Sequence, residues 1–470
     1  MANIIYGMFD VAKTALLTQQ KALDVTANNI ANVNTEGYSR QRLNMEQNEP
    51  VYYEGGTIGT GVRANRTIQR VYDRFLAAQI DDAASQKGRW QAQQETLEKA
   101  ELMFDDASGY GLNDAMNEFW TSRQEVANNP SGYSERANLT ANAEHLTQVF
   151  NQLSRDLTQV QEDSDLNIEG AVADINTLTN EISVLNLKIA EVEAGKLHNA
   201  NQFKDERDLK LKELSSLIDV NGFEDADGFL TIVTTNGHTL VDRTRSWELT
   251  TQTNANGFTD VYWESSSGGQ QNITSDVSTG KLKGWIEARD TLIPDYLTRL
   301  DDMAATLANT VNTQHTVGRD LNGNTGAGNV ADFFTIVSGA ADIAVNSAIS
   351  SDTNLIAAAD SSENVPGGNS NAVAMAEIQN RLLMSGSSAT IDDFFNGLVS
   401  DVGRHVAQAT VNANHQSTVA LQLDTYRDEV SGVSMVEEMI NMVQVQSAYQ
   451  AAAKLVNTVD EMLESMIAMV

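Results

Sequence analysis

The sequence has no cysteine and only 4 prolines in 470 residues. Without cysteine there is no disulfide framework, no thiolate zinc site and no thiol nucleophile. A chain of this length can bury cores large enough to stand without disulfides, so this absence does not fix the compartment. The scarcity of proline leaves long stretches free to stay helical. Aromatic residues are thin at 6%, although 41% hydrophobic residues suffice for cores. Basic residues are short as well: 31 Lys and Arg face 64 Asp and Glu, for a formal net charge of −33. That balance argues against a large basic face for nucleic acid or an anionic membrane, and it favours solubility. No segment approaches the roughly 18 uninterrupted apolar residues of a membrane helix.

The first residues, Met1 to Asp10, carry no base before Lys13 and lead into no continuous apolar core. This is not a conventional secretory signal. The expectation is a chain that is cytosolic, or exported by a route without a cleaved signal.

Catalytic and metal motifs are also missing. The histidines are His145, His198, His238, His315, His405 and His415, and none lies in a His-Glu-x-x-His pattern. His405 and His415 can share a helix face, but two histidines without nearby acids make a poor metal site. Gly59-Thr60-Gly61-Val62-Arg63-Ala64 matches a dinucleotide fingerprint, yet the preceding strand and following helix are not predicted. Asp320-Leu321-Asn322-Gly323-Asn324-Thr325-Gly326 resembles the start of a calcium loop. It has threonine where the sixth position needs glycine, and Ala331 where the twelfth needs glutamate. The expectation is no catalytic, cofactor-binding or metal-binding residue, and no cofactor.

What is present is heptad periodicity at both ends. Phe9, Leu16, Leu23 and Ile30 recur at that spacing, with Ala12 and Thr26 between and Gln19 interrupting. Near the C-terminus Met435, Met442, Tyr449, Val456, Leu463 and Val470 form one row. Val445, Ala452, Val459 and Met466 form a second, spoiled by Glu438. So narrow a stripe is a coiled-coil seam. If the ends pair, both termini lie together at one end of an elongated molecule.

Between them Leu139, Leu146, Leu153 and Val160, flanked by Ala143, Phe150 and Leu157, predict a long helix. Ile168, Ile175, Ile182 and Ile189 continue it, with Ala171, Leu178, Leu185 and Val192 alongside. Asp163-Ser164-Asp165 marks either a bend or no break at all, Gly195 is a candidate end, and the rows are expected to pack inside one bundle domain. Turn-rich Asn221 to Gly228, the run Phe229 to Thr235 and the hairpin pair Asn236-Gly237 predict a small β insertion over 221–281. Helix returns at Leu282, residues 318–370 read as loop with short strands, and helix dominates from Ala372 with breaks near Gly386 and Gly397.

The most specific stretch is Asn28-Asn29-Ile30-Ala31-Asn32-Val33-Asn34-Thr35-Glu36-Gly37-Tyr38-Ser39-Arg40-Gln41. Chemically it is a helix end: asparagine favours termini, and Gly37 suits the left-handed position beyond a helix. So many asparagines fit either one elaborate cap or amide bonds to neighbouring chains.

This stretch resembles the N-terminal signature of the flagellar axial proteins, the rod, hook and hook-associated family, and most of all the hook-associated branch. Further likenesses are Gly59 to Val62, Val71-Tyr72-Asp73-Arg74-Phe75-Leu76 and Val126-Ala127-Asn128-Asn129-Pro130. At the C-terminal end they are Ser431-Gly432-Val433-Ser434, Glu437-Glu438-Met439, Gln446 to Ala453 and Asp460-Glu461-Met462-Leu463. The likeness fails over 221–281, is faint over 338–370, and departs at Ser122-Arg123, where the family often has an aromatic residue.

The resemblance implies a structural subunit joining hook to filament. It implies export through the flagellar type III apparatus without cleavage, and a ring of identical subunits around the channel. Partners would be the hook protein, the next hook-associated junction protein, and a cytoplasmic export chaperone on the C-terminal helix. Localisation would be the flagellum, outside the cell. The expected fold is mainly α and elongated, with a paired coiled-coil domain (1–60 and 430–470), a mainly helical middle domain (61–220 and 282–429) and a β-rich outer insertion (221–281). Expected assembly residues are Asn28, Asn29, Ile30, Asn32, Asn34, Gly37, Tyr38 and Arg40. On the C-terminal seam they are Met442, Val445, Tyr449, Ala452, Val456, Val459, Leu463 and Met466. The nearest alternative is a hook or distal rod subunit. A secreted enzyme or adhesin with coiled-coil ends is the alternative from another class.

Overall fold

The structure, a computed structural model, describes residues 2–53, 56–104, 111–195, 199–265, 268–336 and 338–468. His198 and Val470 lie outside them. Helix accounts for 64% of the chain. Helix α1 (Ala2–Ala31) leads to strands β1 (Gln41–Gln47), β2 (Val51–Tyr53), β3 (Gly56–Ile58) and β4 (Val62–Arg70). Then come α2 (Arg74–Met103), α3 (Leu112–Asn128), α4 (Tyr133–Glu193) and α5 (Asn201–Leu217). The β insertion contains β5 (Val220–Glu224), β6 (Leu230–Thr234), β7 (Thr239–Asp242), β8 (Arg245–Ser246), β9 (Leu249–Thr253), β10 (Thr259–Glu264) and β11 (Gln270–Asn272). Helices α6 (Gly280–Glu287) and α7 (Ile293–Thr316) follow, then β12 (Gly318–Arg319), β13 (Phe334–Thr335), β14 (Ala344–Val345), α8 (Ser347–Ser351), β15 (Ala359–Asp360) and α9 (Ser370–Ala376). The chain closes with α10 (Ile391–Ser431) and α11 (Met435–Ala468).

The spine is α4, a single helix of 61 residues, about 90 Å long at 1.5 Å per residue. It runs through Asp163-Ser164-Asp165 because each polar group there is satisfied without breaking the ladder. Ser164 Oγ donates back to Val160 O, and Asp165 accepts from Arg289 at 2.6 Å and from the Thr259 N–H at 2.8 Å. The helix ends at Glu193, just before Gly195.

Its two halves serve two cores, not the one bundle expected. Leu139 to Val160 pack with α3, α7 and α10 around Phe119, Phe150, Tyr296 and Phe395. Ile168 to Ile182 pack with α5, α6 and the inward strand residues Leu230, Ile232, Leu240, Val241, Leu249 and Val261. The insertion forms a four-stranded sheet, β5-β6-β7-β8, and a three-stranded sheet, β11-β10-β9. Asn236-Gly237 does make the β6–β7 turn, with Gly237 at φ +88°. Val192, read as core, is exposed.

Other expectations change in detail. Helix α1 stops at Ala31, so residues 41–60 are not helical: β1 pairs with β4, and β2 with β3. Gly397 lies inside α10, and the break sits earlier, at the Gly386 turn. The Gly59 to Ala64 stretch opens β4, not a helix, and Gly61 (φ +89°) lies against α1, where a Cβ would sit 3.1 Å from Thr14 Oγ1. Asp320 is bonded by both the backbone and side-chain nitrogens of Asn324, which closes a glycine-rich turn.

Candidate assembly surfaces at the chain ends

The first and last helices pack on each other. Arg40, just beyond α1, meets the first turn of α11, so the pairing is antiparallel. Along α11 the buried and half-buried residues include Glu438, Met442, Val445, Tyr449, Ala452, Val456, Val459, Leu463 and Met466. These are the two rows read from the sequence, except that Met435, the first residue of its row, is exposed. Glu438, Ala452 and Val459 are fully buried and the others half-buried. On α1, Ala12 and Thr26 are buried, and Phe9, Leu16, Gln19, Leu23 and Ile30 are half-buried.

A second face of α1 packs on the small sheet. Thr18 and Asn29 bond to backbone there, at Val62 O and Gln41 O. The opposite face of α11 is apolar but uncovered: Val436 is 68% exposed, Ile440 53% and Val443 62%.

At the inner end of the pair lies a polar joint. Asn29, 1% exposed, pairs with both backbone groups of Gln41, donating to its O and accepting from its N–H, each at 2.9 Å. It acts as a one-residue extension of the sheet. The Tyr38 hydroxyl lies 2.9 Å from both Asn28 Oδ1 and Asn29 Oδ1 and shares its proton between them. Burial and the nearby Asp205 and Glu438 charges push the Tyr38 phenol upward, so it stays a donor. Asn32 Nδ2 bonds Asn28 O at 3.0 Å, and Thr35 Oγ1 bonds Asn32 Oδ1. Asn34 is exposed. Gly37 takes φ +79°, the left-handed turn that reverses the chain. Asn28, Asn29 and Asn32 all bond within this chain around the helix end.

Arg40 closes the joint. Its N–H donates to Ser431 O at 2.8 Å, and its O accepts from Val71 N at 2.8 Å. Its side chain reaches Glu438 at 2.8 Å and Glu437 at 3.2 Å. The two glutamates also lie in the first turn of α11, where the helix dipole favours anions. Beneath them Asp205 of α5 accepts from the Ser39 N–H and from Arg70, and Arg70 also meets Asp208 at 2.7 Å. Asp205, Arg70, Ser431 and Glu438 were absent from the expected site. Their partners lie far off in sequence, and Glu438 read as a flaw in its row.

Among the described residues no group of three or more His, Cys, Asp or Glu side chains is placed to hold a metal. His405 and His415 both sit on α10, and His405 bonds the Tyr296 hydroxyl at 2.7 Å. No helix among the described residues is long and apolar enough to cross a membrane.

Comparison with known proteins agrees with this architecture. The family described as "Flagellar hook-associated protein FlgK helical domain" matches residues 97–334. Its match runs through 221–281, where sequence motifs had shown no likeness. The family "Flagella basal body rod protein" matches 9–38, and "Flagellar basal body rod FlgEFG protein C-terminal" matches 426–469. Flagellar hook-associated protein 1 of Bacillus subtilis (strain 168) is 30% identical, over 99% of this chain and 98% of its own length. The protein of that name from Escherichia coli (strain K12) is 24% identical over 98% and 99%. A solved structure titled as the flagellar hook junction protein FlgK from Burkholderia pseudomallei has TM-score 0.65 at 14% identity, covering 75% of this chain and 100% of that one. It shares the fold. The chain belongs to the flagellar hook-associated protein 1 family, the structural subunits of the flagellum at the junction of hook and filament.

Proposed function

We propose that identical copies of this chain form a ring around the export channel, between the hook protein on one side and the next hook-associated junction protein on the other. The observation that carries this reading is the antiparallel pair α1–α11, which buries one face of α11 and leaves Val436, Ile440 and Val443 uncovered. A two-helix pair with an apolar outer face is half of an interface. In the ring the helix pair lines the inside, and the β insertion faces the medium. The asparagine-rich stretch and the seam residues act in assembly by holding α11 at a fixed angle.

The chain leaves the cell through the flagellar export apparatus without cleavage, and a cytoplasmic chaperone covers α11 beforehand. It works outside the cell and is not an enzyme. Deleting the gene tests the reading: the strain is expected to bear hooks without filaments and to release unpolymerised flagellin. Normal filaments in that strain would refute it. Nothing favours the hook or distal-rod alternative.

A further inference from the structure

Arg123, near the end of α3, is 2% exposed. Its guanidinium lies in the angle between two aromatic rings, 4.6 Å from the Phe119 centroid and 4.8 Å from that of Phe333, which are 6.4 Å from each other. Ring faces offset part of the cost of burying the charge. A ring face is a far weaker acceptor for an N–H than a carboxylate or carbonyl oxygen, and the guanidinium has five N–H donors to place. Nε, Nη1 and Nη2 are all buried without an acceptor among the described residues. Other buried arginines differ: Arg136 donates to Pro130, Thr353 and Ile356 carbonyls, and Arg289 to Asp165 and Asp290.

The surroundings do not balance the charge. Burial alone pushes the Arg123 guanidinium down to about 9, so it remains a cation at neutral pH, with no carboxylate holding it up. His315 of α7 is neutral by geometry. The Ala357 N–H donates to its Nε2, so the proton is on Nδ1, which donates to Ala331 O at 2.8 Å. Arg136 of α4 adds a second cation, and the buried Asp320 is already bonded by Asn324 and acts on Arg136. A buried cation left in this condition is strongly disfavoured.

We propose that the in-plane edge of Arg123 is an internal binding site for a small monovalent anion of the halide class, chloride in physiological salt, which ties α3 to the Phe333 segment within the helical body. The two rings hold the guanidinium in place, and the anion accepts the N–H groups that the protein leaves without an oxygen acceptor. This is independent of how the chain ends assemble.

The test is thermal melting of the full chain in sodium chloride, sodium bromide and sodium gluconate at equal ionic strength, for the wild type and Arg123→Met. Gluconate is too large to enter a closed core. The wild type is expected to melt about 2–4 °C higher in either halide than in gluconate. In Arg123→Met that difference disappears, and in gluconate the variant melts no lower than the wild type. Equal wild-type melting in all three salts, as water on the guanidinium would give, overturns the proposal, and so does a halide effect retained in Arg123→Met. If Arg123→Met does not fold, bromide-soaked crystals of the wild type decide: an anomalous peak within hydrogen-bond distance of Arg123 supports the site, and its absence overturns it.

Discussion

Arg40 and Glu438 stand 398 positions apart in sequence, and their side chains meet at 2.8 Å. The Glu438 side chain is 3% exposed and that of Arg40 30%, so the carboxylate is buried and the arginine is its link to water. Removing the arginine leaves a buried anion with no cation beside it. Arg40→Met is expected to lower the stability of the terminal pair by about 1–3 kcal/mol. Glu438→Gln in the same background should recover part of that loss. Denaturant melts of the two single variants and the double variant check this: strict additivity would mean the pair is uncoupled.

Val459 is 0% exposed at the centre of the α1–α11 seam, while Lys454 is exposed on the same helix. Val459→Asp should cost the helix pair about 2–4 kcal/mol and abolish filament attachment, with the α4 cores still folded. Lys454→Asp should leave motility intact. Swimming assays with circular dichroism decide the matter. A motile Val459→Asp strain would show that the seam does not carry assembly.

Among the apolar residues of the seam, full burial is confined to small ones such as Ala12, Ala452 and Val459. A helix pair that thin gains little from packing. In the purified monomer, backbone amides of α1 and α11 should exchange with solvent much faster than those of α4 between Leu139 and Ile182. Equal protection in both regions would contradict this.

His315 and Asp81 predict opposite pH slopes. Burial, then the Arg123 charge, lowers His315 from its ordinary 6.5 to about 3. Its contribution to stability is complete above pH 6.5 and is lost as acid approaches pH 3, because only the unfolded chain takes up the proton. Burial and the charge of Asp208 raise Asp81 from 3.8 to about 7, beside a cavity of about 80 Å³ at the joint. Its contribution is complete below pH 3.8 and is lost as pH rises through 7. His315→Gln should flatten the acid limb of a stability–pH curve, and Asp81→Asn the neutral limb. Unchanged curves would remove both assignments.

Periodicity made the long helices legible. The rows Leu139 to Ile189 and Met442 to Met466 are local in sequence, and each falls on the buried side of its helix; the Asn236-Gly237 turn, equally local, falls between its two strands. Contacts that need a distant partner were not legible. Glu438 looked like an error in an apolar row until Arg40 was placed beside it. The strands over 41–60 were missed because Gln41 to Gln47 does not alternate in hydrophobicity: Gln41, Leu43 and Asn44 are half-buried, and the other four residues are exposed. The division of α4 between two cores depends on the β insertion folding back on its second half. The shared use of Asn29 by Gln41 and Tyr38 became visible only once the turn at Gly37 was in place.

Under the proposed export, the antiparallel pairing of α1 with α11 also sets a timetable. A polypeptide threaded through a narrow conduit head first releases α1 long before α11, and no nearer segment offers α1 that seam. The two cores around α4 draw on residues from Leu97 to Ala409 and can close while the tail is still in transit. The rod of paired ends is then the last part to form, and a chain that stalls or is cut short never completes it. Attachment to a growing structure through these ends would thus admit only molecules delivered whole, a quality check that needs no separate inspector.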